Sequence, residues 1–243
     1  MGISFAQRQL EGELMDDPAL DASAHAAALR GLQRINIASR TAASLWPMIA
    51  RILAAHRGSP SSLLDVACGG GDVAVELARR ARERGYALAV HGCDISPTAL
   101  ENAAALAARA HATVNFYRAD ALRDPLPAHY TVITATLFLH HLGDVQIIAL
   151  LRKLAAYADH LVISDLIRGP VGYGLAWIGT HLLSTSSIVH EDGLRSVRAA
   201  LTLRQARALA DAAGLRNVHF ERHWPQRFLL TWSRTADEIS HAG

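Results

Sequence analysis

One stretch limits this chain more than any other: Ser62-Leu63-Leu64-Asp65-Val66-Ala67-Cys68-Gly69-Gly70-Gly71-Asp72. An apolar run passes through an acid into three consecutive glycines, and a helix-forming segment follows from Asp72 to about Arg84. Glycines after a strand let the backbone turn tightly and approach a ligand, while the helix that follows offers unpaired N–H groups at its start. Strand, glycine turn and helix in that order open a parallel α/β layer, and a nucleotide-type cofactor is expected on the turn.

The segments that follow keep the alternation. Apolar, strand-like runs recur at Leu63 to Ala67, Leu88 to Cys93, Thr113 to Tyr117, Tyr130 to Thr136 and His160 to Ser164. Helices are expected from Asp72, from Ser96-Pro97 (a serine cap with proline at the first helical position) and from about Asp144 to Tyr157. This pattern predicts a mostly parallel sheet with helices on both faces and ligands at the carboxyl ends of its strands.

Ahead of the sheet, Phe5 to His56 reads as helices over Ala24 to Ile37 and Thr41 to Ala55, with Pro47 setting or kinking a helix start. The loop Arg57-Gly58-Ser59-Pro60-Ser61 then divides a helical appendage, residues 1–57, from a cofactor-binding domain, residues 58–243. Near the other end, Thr202-x-x-Gln205 is a capping box for a helix ending at Gly214. Two β-like runs follow, Asn217 to Arg222 and Arg227 to Trp232, and their short link makes a hairpin, hence an antiparallel pair closing the sheet.

Composition removes several classes of function. With 243 residues and 51% hydrophobic content the chain is long enough for a packed core. A net charge of +2, with basic residues scattered over helices, gives no nucleic-acid footprint. Cys68 and Cys93 read as packing thiols of a reducing cytoplasm, and Met1-Gly2-Ile3-Ser4-Phe5-Ala6 shows no basic-then-apolar leader, so a cytoplasmic location is expected.

The spacing Gly69-x-Gly71-x-x-Ala74 also fits the dinucleotide fingerprint, so an NAD-dependent oxidoreductase stands as a rival reading. Two acids point elsewhere. With Asp65 inside the motif and Asp94 ending the next apolar run, Asp-x-Ala-x-Gly-x-Gly resembles the first motif of class I S-adenosylmethionine (SAM) dependent methyltransferases. The resemblance covers roughly Ser62 to Ser233. It implies a doubly wound, mostly parallel seven-stranded sheet in the order 3-2-1-4-5-7-6, last strand antiparallel, with SAM as cofactor. It further implies that Asp65, Ala67, Gly69, Gly71 and Thr136 face the cofactor around the turn. Asp94 would bind both ribose hydroxyls, Ile95 would pack on adenine, and Asp120-Ala121 would accept the adenine amino group.

Thr136-Leu137-Phe138-Leu139-His140-His141-Leu142 resembles the Leu-His-His-Leu stretch of small-molecule methyltransferases, among them relatives of the ubiquinone and menaquinone enzymes. No Asn/Asp-Pro-Pro-aromatic tetrapeptide of base-methylating enzymes stands there, so nucleic acid is not an expected partner. Methyl transfer from a sulfonium needs an aligned, deprotonated acceptor. A histidine suits that proton, and His140, then His141, is the candidate base.

An insertion at about 166–200 follows the fifth strand. Its apolar part, Val171 to Leu183, is too short for a bilayer span of about 20 residues and reads as a buried helix, a weak membrane-contact patch or a lid over an apolar acceptor. Candidate acceptor contacts are Asp165, Trp177, His181, His190 and Arg198, the last two as groups steering a phenolate or enolate. No metal is expected. The resulting expectation is methyl transfer to a small apolar, phenolic or quinone-like molecule, on oxygen before carbon, with a non-catalytic cofactor-binding partner protein as the remaining rival.

Overall fold

A computed structural model describes residues 5–16, 19–56 and 59–234; Met1 to Ser4, read above for a leader, and the 57/58 boundary lie outside them. The chain enters as an extended strap from Phe5 to Glu13, ending in a single 3-10 turn at Leu14–Asp16. Two helices follow, α1 (Ala22–Ala38) and α2 (Thr41–Ala55). Asp21 caps α1 by accepting from the Ser23 and Ala24 amides.

The alternation then runs β1 (Ser61–Val66), α3 (Asp72–Glu83), β2 (Leu88–Asp94), α4 (Pro97–Arg109), β3 (Asn115–Arg118), β4 (Tyr130–Thr136), α5 (Asp144–Ala156) and β5 (Ala158–Leu166). Two insertion helices, α6 (Pro170–Leu183) and α7 (Ser187–Ala199), precede α8 (Leu203–Ala212) and the hairpin β6 (His219–His223) and β7 (Arg227–Ser233). Ser96 accepts from the Ala99 amide at the start of α4, and Thr202 and Gln205 form the reciprocal capping box of α8, as their spacing predicts.

All seven strands form one sheet in the order β3-β2-β1-β4-β5-β7-β6. β1 to β5 pair in parallel, and β7 runs antiparallel to both β5 and β6. Successive residues of the central strands feed opposite faces. Leu63, Val132 and Val162 pack with α2 and α3, while Leu64, Ile133 and Leu161 pack with α5 and α8. All six are 0% exposed, and each contributes about 1.5–3 kcal/mol of burial. This double-sided core sets the carboxyl ends of β1, β2, β4 and β5 in a row.

Three local expectations change. Phe5 to Glu13 is not helical: it has no apolar periodicity, and its polar groups are met from outside. Gln9 N donates to the Arg198 carbonyl, Arg168 Nε donates to the Phe5 carbonyl, and Asp192 accepts from the Leu14 and Met15 amides. Pro47 lies in the interior of α2 rather than at its start, and its missing N–H leaves the Ala43 carbonyl without a helical donor.

The insertion is a pair of helices, and α6 is not an ordinary buried one. Val171, Trp177, Ile178 and Leu182 are 48–79% exposed while Gly172 and Thr180 are buried. The face of α6 toward α7 is narrow because Gly193 meets Thr180; a Cβ at Gly193 would lie 2.6 Å from Thr180 Cγ2. Among the described residues no helix is long and apolar enough to cross a membrane.

Candidate active site

The glycine turn leaves β1 through Ala67, Gly69 and Gly71, all at positive φ (53°, 52° and 75°). Gly71 cannot be replaced in place, because a Cβ there would lie 2.7 Å from Ala103 Cβ and 2.9 Å from Phe116. A Cβ at Gly69, in contrast, would meet nothing within 4 Å, so that side of the turn is open. Leu29 of α1 lies against Gly70 and brings the first helix over the turn.

Asp94 braces this turn. Its Oδ2 accepts from Gly69 N at 2.8 Å and its Oδ1 from Ser96 N at 2.9 Å, so the carboxylate joins the ends of β1 and β2. Ile95 beside it is 58% exposed. Asp120 caps the turn after β3, with Oδ1 accepting from Leu122 N and Arg123 N, and Ala121 is packed in the core.

Asp65 is 1% exposed, and Thr134 donates to its Oδ1 at 2.7 Å while Oδ2 has no hydrogen-bond partner among the described residues. Burial, with Asp72 and Asp94 nearby, pushes its carboxyl up to about 7 against the pull of Thr134. The unfolded chain releases this proton near the ordinary value of 3.8. The folded state therefore binds the proton more tightly, and stability falls as pH rises from about 4 to about 7, by at most about 1.4 kcal/mol per pH unit. Urea unfolding of the cofactor-free protein at pH 5 and pH 8 should show wild type losing more stability than Asp65→Asn; equal losses would remove Asp65 as the source.

A second cluster stands at the ends of β4 and β5. After Thr136 the chain turns through Leu137 (φ 55°) into a 3-10 turn, Leu139–His141. His140 Nδ1 lies 2.7 Å from Asp165 Oδ1, and Asp165 Oδ2 accepts from His140 N at 3.3 Å. The ring's far nitrogen, Nε2, lies 3.5 Å from Glu13 Oε1, and His141 Nε2 lies 3.9 Å from Glu13 Oε2. The strap thus inserts a carboxylate between the two histidines.

Burial alone would lower the His140 pKa, yet Asp165 and Glu13 raise it to about 10. Burial would likewise raise Asp165 and Glu13, and the histidines hold both below their ordinary values. With Glu13 seated, His140 is a charged ring between two carboxylates rather than a free base.

Behind this pair lies Arg227 of β7, 2% exposed, donating through Nη1 to Thr41 Oγ1 at 2.5 Å with its Nε unpartnered among the described residues. Burial lowers it to about 10, opposed by Asp165 and Asp72. Neither Glu13 nor Arg227 was among the residues singled out in the sequence. Glu13 gives no local signal, whereas Arg227 is a lone cation heading an apolar strand and could have been flagged.

A cavity of about 140 Å³ opens here, lined by Leu10, Glu11, Gly12, Glu13, His140, His141 and Ala199. The expected acceptor contacts are distributed differently. Asp165 is tied to His140, and Arg198 Nη2 donates to Glu11 at 3.3 Å. Trp177, His181 and His190 form a ring stack across α6 and α7, with centroids 4.8 Å and 4.1 Å apart, and His190 Nε2 contacts the Ser184 carbonyl at 2.8 Å. That stack does not line the cavity.

Cys68 and Cys93 are buried and free, with thiols pushed up by burial, Cys93 to about 11, which suits packing rather than reactivity.

A sheet of this order, with a reversed β7, a glycine turn after its central strand and an acid closing the next one, is the fold of class I SAM-dependent methyltransferases. The all-parallel order 3-2-1-4-5-6 of dinucleotide folds differs from it, which sets the NAD reading aside. Residues 63–159 match the family model described as a methyltransferase domain, and the chain carries that domain.

No curated protein matches the chain. Among solved structures it is similar to the magnesium protoporphyrin IX methyltransferase ChlM from Synechocystis PCC 6803 with bound SAM (16% identity, 90% of this chain and 100% of that one, TM-score 0.58). It is also similar to an O-methyltransferase family 2 protein from Planctomyces limnophilus DSM 3776 in complex with apigenin (20% identity, 74% and 52%, TM-score 0.56). A third likeness is to the mitomycin 7-O-methyltransferase MmcR (16% identity, 72% and 49%, TM-score 0.53). At these identities the likeness is one of fold. The chain spans all of the first protein but about half the length of the other two.

Proposed function

We propose that this protein methylates a hydroxyl of a small apolar molecule, phenolic or quinone-like, held between the glycine turn and the ends of β4 and β5. The observation that carries the reading is the buried Asp165–His140 pair, whose free-facing nitrogen Nε2 points toward the cavity and is met there by a carboxylate oxygen at 3.5 Å. Glu13 stands where an acceptor oxygen would stand.

SAM, when bound, supplies the sulfonium methyl. The residues around the turn suit it: the unpartnered Oδ2 of Asp65 is an acceptor for an ammonium, and the open side of Gly69 admits a ligand against the backbone. Asp94, already fixed by two amides, keeps lone pairs for ribose hydroxyls. Asp120 and Ile95 flank the same edge for the adenine, with Ala67, Gly71, Ala121 and Thr136 as its walls.

Asp165 fixes the His140 tautomer and ring orientation by accepting from Nδ1, which leaves Nε2 to receive the acceptor's proton. When an acceptor hydroxyl takes the place of Glu13, one of the two carboxylates that raise His140 is gone, and the ring's proton affinity falls toward the range a base needs. The 140 Å³ cavity is below the roughly 300–1,000 Å³ of ligand pockets, so the strap has to move for an aromatic acceptor to enter.

Similarity to proteins named as O-methyltransferases supports oxygen as the acceptor atom, while an activated ring carbon uses the same base. The test is turnover of methyl-labelled SAM against a panel of phenols, catechols and quinols. Label in an ether product is expected; label on ring carbon would move the reaction to C-methylation, and no transfer to any acceptor, with SAM bound, would favour a non-catalytic role.

A further inference from the structure

We propose that Glu13, His140 and His141 form a binding site for a divalent transition-metal ion, with Zn²⁺, Fe²⁺ or Co²⁺ as the class it takes. Their ligand atoms all lie within 4.8 Å of one another, with His140 Nε2 and His141 Nε2 at 3.5 Å and 3.9 Å from the Glu13 oxygens. Metal–ligand bonds of about 2.0–2.2 Å place tetrahedral ligands about 3.3 Å apart, so the three groups need to close by only a few tenths of an ångström to about 1.5 Å.

A second observation is independent of that spacing. A histidine that ligates a metal through one nitrogen almost always donates its other ring N–H to a carboxylate or carbonyl, which fixes the tautomer. Here Asp165, 2% exposed, takes that role at 2.7 Å from His140 Nδ1. The backbone adds rigidity, since Asp165 also accepts from the His140 and Leu166 amides. Ser196 Oγ donates to Glu13, which holds the third ligand from the α7 side.

Two imidazoles and one carboxylate favour borderline transition metals over Mg²⁺ or Ca²⁺, which select oxygen ligands. Three protein ligands leave a coordination position open, and here the cavity lies beside it. Two carboxylates, Glu13 and Asp165, balance the ion's charge. In this state His140 is a ligand rather than a base and Glu13 stays seated, so the metal-bound form is distinct from the one that admits an acceptor, and a water in the open position loses its proton more readily because the ion lowers its pKa. The binding site does not rest on the methyl-transfer reading.

The experiment uses the full-length protein, stripped with a chelator and dialysed, without SAM or acceptor. Titration with Zn²⁺ by calorimetry and with Co²⁺ by visible absorption should show one equivalent bound. Glu13→Gln and His141→Ala should each weaken it at least tenfold, with circular dichroism confirming that each is folded. His129→Ala, which removes a surface histidine paired with Asp159, should bind as wild type does. The proposal fails if wild type takes up no stoichiometric ion, or if the folded Glu13→Gln and His141→Ala proteins bind as tightly as wild type. Methyl transfer, assayed separately with and without chelator, keeps a failure of the metal site distinct from a failure of the enzymatic reading.

Discussion

Methyl transfer by His140→Ala is expected to fall by about 10²–10⁴ while SAM affinity stays close to that of wild type. The size follows from what a positioned proton acceptor supplies. His140 belongs to the β4–β5 end of the site and bonds to Asp165 and Glu13, whereas Asp94 bonds to Gly69, so cofactor affinity serves as the control for folding. The substitution also leaves Asp165 buried without its main partner, a strain that His140→Gln relieves in part while keeping the loss of activity. Turnover unchanged in a folded His140→Ala protein would exclude this histidine from the chemistry.

The second large effect belongs to the other cluster. Asp94→Ala should weaken SAM binding by about 10²–10⁴, since two hydrogen bonds to a charged acceptor are worth about 1.5–3 kcal/mol each. It also releases the Gly69 amide that the carboxylate holds at 2.8 Å, loosening the turn. Calorimetric titration with SAM and with its demethylated product checks the expectation. A dissociation constant within threefold of wild type would remove Asp94 from the cofactor site.

What the sequence made legible was what is set by neighbours along the chain. The Ser96-Pro97 start of α4, the Thr202–Gln205 capping box and the start of α3 after Gly71 follow from contacts within a few residues. β4 is found at Tyr130–Thr136 as its apolar pattern predicts, whereas β5 runs past both ends of its expected span because Ala158, Asp165 and Leu166 pair with their neighbouring strands by register. Asp165 and His140 were each singled out, but their pairing depends on the β4–β5 alignment and could not be read from either segment alone. Glu13 was invisible for a similar reason. It sits in a strap held by Arg198, Asp192 and Arg168, residues far along the chain, and nothing in its own neighbourhood marks it.

The segment shared with the methyltransferase family ends at residue 159, and it contains Asp65, the glycine turn, Asp94, Asp120 and His140. Glu13 and Asp165, which flank His140, and Ser196, which donates to Glu13, all lie outside it. On the proposed function, the matched segment carries the methyl donor's seat together with His140, while the groups around His140 that would meet the recipient lie on the strap and on β5. Exchanging the strap and the α6–α7 pair between relatives should retarget the reaction without rebuilding the donor's seat.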